Sequence, residues 1–167
     1  MRPHTTSMLV AAAALALAAV PALAGPSRYT ADDPTWRAEC GSCHTAYPAA
    51  LMTAPAWRQV MASLDRHYGT DASLDPKTAA AIGAFLARHA GTDRRAAPPV
   101  AAGAKPGPDG GPSLPRITRS AWFASEHREV PAATIARRDV GSLSNCGACH
   151  FAADRGDFSE RGLRVPR

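Results

Sequence analysis

Nowhere in this chain of 167 residues do apolar and polar positions alternate over the roughly four to eight residues that mark a half-buried strand, so a sheet-based core is excluded. Aromatic residues make up 6% of the chain, and no basic run is interleaved with them as nucleic-acid binding requires. Beyond Val20 no stretch is apolar enough to span a membrane. Cysteine is equally sparse, with 4 residues arranged as two C-x-x-C pairs. A disulfide within either pair would close a very small loop and stabilise little.

What is present begins with a leader. Arg2 and His4 precede an unbroken apolar run from Met8 to Val20, and Pro21-Ala22-Leu23-Ala24 ends in the small-x-small pattern that signal peptidase cleaves. Thirteen apolar helical residues reach only about 20 Å, short of a hydrocarbon core of about 30 Å. Residues 1–24 are therefore expected to be a signal peptide cut after Ala24, leaving a soluble periplasmic protein without stable membrane insertion. Cleavage removes Arg2 from a net charge of +5, leaving 18 basic against 14 acidic side chains, or +4. The excess is thinly spread, except for Arg155, Arg161, Arg164 and Arg167 in the tail, which could meet an acidic partner.

The run GTDRRAAPPVAAGAKPGPDGGPSLP, residues 91–115, holds six prolines and five glycines and has no periodicity. It divides the chain into a first domain at 25–92, a linker at 93–115 and a second domain at 116–167. Segments this short usually need a metal, disulfides or another group in the core. The regular structure is helical. Trp57, Val60, Met61, Leu64 and Tyr68 make one face of a helix expected over 55–68. A second runs over 76–90, capped by Asp75, started by Pro76 and stopped at Gly91, with Ile82, Phe85, Leu86 and His89 on its buried side. Ser120 caps a short helix carrying Trp122, Phe123 and His127, closed by Pro131. The expected fold is all-α with extensive loop, in two small domains.

A hexapeptide occurs twice, once in each domain, as ECGSCH at 39–44 and NCGACH at 145–150. In a helix Cys40, Cys43 and His44 share one face, as do Cys146, Cys149 and His150, so two sulfurs reach one porphyrin edge while the imidazole turns to the iron. C-x-x-C-H is the attachment pattern of c-type haem, and a proximal His is a usual axial ligand. A thioredoxin-like dithiol would need a βαβ context and no His after the second Cys. A four-cysteine zinc site would need its pairs roughly 15 to 20 residues apart; here 102 residues intervene.

Each iron then takes a sixth ligand or stays open. His67, His89, Met52 and Met61 are the candidates for the first haem, with Met61 most simply core packing. For the second, His127 is the one remaining histidine and no Met is available. Phe123, one turn earlier, can flank the porphyrin, and Glu126 can orient a ligand. Trp36, Trp122 and Phe151 read as groups packed on haem. Filled sixth positions describe an electron carrier rather than an enzyme. An open iron would instead suit a small dihaem peroxidase or reductase, or a gas-binding module.

The order WRAECGSCHTAYPAALMTAPAWRQVMASLDRHYGTDASLD, a proline-rich break, RITRSAWFASEHREV and NCGACHFAADRGDFSERGLRVP resembles the soluble dihaem cytochromes c that donate electrons to a sphaeroides-type oxygen-binding haem protein. The similarity covers nearly all of 35–166. It implies a first domain similar to class I cytochromes c, a second with its own small fold, and two histidines on each haem, with His67 at the distal position of the first. It also implies electrons arriving from a membrane cytochrome or another periplasmic carrier and leaving to an oxygen- or nitric-oxide-handling haem protein. No nucleic acid takes part, and the chain is expected to act as a monomer.

Overall fold

The computed structural model describes residues 28–107 and 113–166. The leader assigned to residues 1–24, and Arg167 of the basic tail, lie outside them.

Three helices start the same way, with an oxygen-bearing cap followed by proline in the first turn, where the missing N–H costs nothing. Asp33 accepts from the Trp36 amide at 2.9 Å to open α1 (Pro34–Gly41). Thr53 accepts from Ala56 to open α2 (Ala54–Met61), and Asp75 accepts from both Lys77 and Thr78 to open α3 (Pro76–Arg88). Beyond the linker, Ser120 accepts from the Phe123 amide at 3.1 Å and starts α4 (Ala121–Glu126). α4 stops at Glu126 with His127 as its C-cap, short of Pro131, which instead stands at the N-cap of the one-turn α5 (Ala132–Ile135). Single 3-10 turns and isolated bridges complete the described residues, which contain no sheet.

The helix expected over 55–68 is shorter than its periodicity suggests. It ends at Met61, a 3-10 turn follows at Leu64–Arg66, and Tyr68 and Gly69 both take positive φ, at 51° and 94°. Two successive left-handed residues cannot continue an α-helix, so the chain reverses there. The Thr70 amide donates to His67 and the Ala72 amide to Leu64, closing the reversal. Gly91 has a reason beyond stopping α3, because any Cβ there would collide with the Ala50 carbonyl.

α2 packs on α3, and their apolar faces join Trp36 of α1 in one buried cluster. Ile117 and Phe123, from beyond the linker, belong to the same cluster. The linker is held at its start. Ala97 exchanges backbone hydrogen bonds with Leu51 and Thr53, and both ends of the Gln59 amide bond the Val100 backbone.

Candidate haem-binding sites

The first hexapeptide is only half helical. α1 delivers Cys40 and ends at Gly41, after which the Ser42 hydroxyl donates to the Glu39 carbonyl at 2.8 Å and the chain turns through Cys43 to His44. The second is a single tight turn at Cys146–Ala148, in which the Cys146 carbonyl accepts from the amides of both Cys149 and His150. One turn rather than a helix face is therefore what gathers the two sulfurs and the imidazole.

Each hexapeptide histidine faces a second histidine. The His44 and His67 rings lie 6.2 Å apart between centroids, 17° from parallel, and the His127 and His150 rings 6.3 Å apart at 66°. A metal held between two imidazoles by bonds of about 2.0–2.1 Å sets their centres roughly 6.3 Å apart, so both pairs have the spacing of ligands that share one metal. In each pair one ring is tied down. His44 Nδ1 is 2.7 Å from the Thr45 carbonyl and His127 Nδ1 is 3.0 Å from the Phe123 carbonyl, which commits that nitrogen as donor and leaves Nε2 with its lone pair. The other ring in each pair, His67 and His150, has a buried Nδ1 with no partner among the described residues. A buried nitrogen left that way is costly unless a group outside the chain accounts for it.

Burial first, and the facing histidine second, lower the pKa of His67 and likewise of His150, favouring the neutral imidazole that ligates metal. Burial also pushes the Cys40 and Cys146 thiols up to about 11, so neither is a ready thiolate of the redox-dithiol kind.

Tyr68, held in its left-handed conformation beside His67, donates its hydroxyl to the Pro115 carbonyl, and the Arg116 guanidinium lies 4.5 Å from its ring centre. Such a conformation costs on the order of 1 kcal/mol, offset here by contacts from beyond the linker. At the other site Phe123 stacks directly on His127, 3.8 Å between centroids, and the Phe123 carbonyl rather than Glu126 orients the ring.

Several candidates take other places. His89 is the exposed C-cap of α3, its ring on Phe85, and Met52 is buried in the core. Trp36 packs on Phe85, Trp122 sits at the margin of the core, and Phe151 lies under the Arg164 guanidinium. Tyr47 and Phe158 were not singled out by the sequence; they stack on His44 and approach His150 at 5.3 Å. Tyr47 stands three residues after His44, a spacing that could have drawn notice.

The family model for dihaem cytochrome c matches residues 36–158. The chain belongs to the dihaem cytochrome c family. A dihaem cytochrome c from Shewanella baltica is similar over 80% of this chain and 92% of its own, at 37% identity and a TM-score of 0.63. One from Rhodobacter sphaeroides is similar over 78% and 99%, at 36% identity and a TM-score of 0.62. No curated protein matches the sequence. As a dihaem cytochrome c, the chain carries two c-type haems, with Cys40/Cys43 and Cys146/Cys149 available for covalent attachment, and its function is electron transfer with redox partners. The two histidine pairs, with their metal-like spacing and buried unpartnered nitrogens, fit that cofactor. Among the described residues no helix is long and apolar enough to cross a membrane.

Proposed function

We propose that this dihaem cytochrome c is a periplasmic electron carrier whose haem irons are each held by two histidines, His44 with His67 and His150 with His127. The observation that carries the reading is the paired ring spacing of 6.2 and 6.3 Å. Residues 1–24 serve as the export signal, and 25–92 and 116–167 each hold one haem. Haem supplies a reversible one-electron change at iron. The chain does the rest. Cys40, Cys43, Cys146 and Cys149 fix the porphyrins by thioether bonds, and the Thr45 and Phe123 carbonyls hold His44 and His127 in the tautomer that leaves Nε2 free to ligate.

With both axial positions filled by the chain's own imidazoles, no site is left for substrate, which separates this reading from a peroxidase, reductase or gas sensor. Histidine in place of methionine also keeps the potentials low, since the Met/His pair is the one that raises them. Electrons arrive from a membrane cytochrome or periplasmic carrier and leave to an oxygen- or nitric-oxide-handling haem protein, as the sequence resemblance implies. The test is the visible spectrum of the matured protein, oxidised, reduced, and reduced under carbon monoxide. Two low-spin haems that carbon monoxide leaves unshifted are expected; a shift in half of the haem would mean one open iron and a different function.

A further inference from the structure

The segments that flank the two hexapeptides approach each other, and one side chain spans the approach. The Tyr47 ring lies on the His44 imidazole, 4.7 Å between centroids and 16° from parallel. Its hydroxyl donates to the Ser144 carbonyl at 2.7 Å, across 97 residues of sequence. That carbonyl also accepts from the Cys146 amide at 3.0 Å, so a single oxygen joins Tyr47 to the first residue of the second attachment turn. Beside it, a Cβ on Gly147 would lie 3.9 Å from Thr45 Oγ1, in ordinary contact, which places the middle of the second motif against the residue that follows the first.

We propose that Tyr47 is the positioning residue that holds the second attachment turn against the first haem's axial imidazole and thereby sets how fast an electron passes between the two haems. The proposal rests on His44 being an iron ligand. In the step one ferrous haem becomes ferric as the other goes from ferric to ferrous, with no bond made and no proton moved. An aromatic ring in van der Waals contact with the ligand at one end, and hydrogen-bonded to the attachment turn at the other, shortens the through-space part of that path.

The test uses the holoprotein as Tyr47→Phe and Tyr47→Leu, with Arg28→Ala as the control that removes a different bridge between the two halves, the ion pair to Asp157. A flash of photoreduced free flavin delivers one electron to the oxidised protein, and redistribution between haems is followed by absorption. Ferric electron spin resonance reports each iron's imidazole orientation. Tyr47→Phe keeps the ring, so both resonance signals should persist while redistribution slows several-fold. Tyr47→Leu should slow it further and shift the signal of the first haem alone, because His44 is then without its stacking partner. An unchanged rate in both Tyr47 variants overturns the role, as does equal slowing in Arg28→Ala. An open iron in the unaltered protein would instead overturn the ligand assignment on which the role rests.

Discussion

The two histidine pairs share a spacing and differ in orientation. Both sets of rings stand just over 6 Å apart, but the first pair is nearly parallel and the second is turned through 66°. The cause lies in how each distal ring is delivered. His67 leaves a 3-10 turn into the left-handed Tyr68-Gly69 reversal, which lays it flat toward His44, itself stacked on Tyr47. His127 is instead the C-cap of α4, fixed by a hydrogen bond to the Phe123 carbonyl and by the Phe123 ring 3.8 Å away, while the Phe158 ring lies tilted 5.3 Å from His150. The two pairs thus keep one spacing while the packing behind them differs. Under the proposed ligation, the same cofactor would sit in two electronic settings.

The largest effect expected from breaking this comparison is loss of one ligand at a time. His67→Ala should leave half of the haem able to bind carbon monoxide, and His127→Ala the other half, each with the remaining haem still low-spin. If either variant opens neither haem, that histidine is not a ligand. A smaller effect separates the sites without mutation. Near-parallel imidazoles split the iron orbitals that perpendicular ones leave nearly degenerate, so the ferric protein should give two electron spin resonance signals, the more anisotropic from the second haem. Removing His127 should abolish that one; a single superimposed signal would erase the distinction. Smallest is the support of the second site. Ser120→Ala removes the cap of the helix that carries His127 and should cost about 1 kcal/mol in thermal unfolding. Asp75→Ala should cost a similar amount without altering the second haem's spectrum, because α3 carries no histidine of either pair.

Much of the site was legible because attachment chemistry dictates residue types at fixed spacing. Cys40, Cys43 and His44, and their counterparts Cys146, Cys149 and His150, could be read from the two hexapeptides alone. The caps were legible as well, since Asp75, Pro76 and Ser120 act on amides two or three residues away. The break after Met61 was not. Leu64 and Tyr68 continue a helical period, and only Gly69 hinted that the chain turns back. Contacts across the linker were equally hidden. That Tyr47 meets Ser144, or Tyr68 meets Pro115, depends on tertiary packing that no local pattern encodes. The proline-rich run looked like a spacer throughout, yet Ala97 and Val100 are fastened to the first half by hydrogen bonds that a composition argument does not see.

The first described residues also reach the far end of the chain. Arg28 pairs with Asp157 at 2.5 Å, 129 positions away, the Tyr29 amide donates to Gly156, and the Tyr29 ring meets Phe158 edge-on. Gly156 permits this at φ 69°, where any Cβ would strike the Tyr29 carbonyl. The first described residues are thus clasped to the second attachment segment, far away in sequence. A hinge needs one connection between its leaves, and here the clasp adds to the Tyr47–Ser144 bridge and the shared apolar cluster. The approach of the two halves therefore rests on tertiary packing and not on the length of the backbone that joins them.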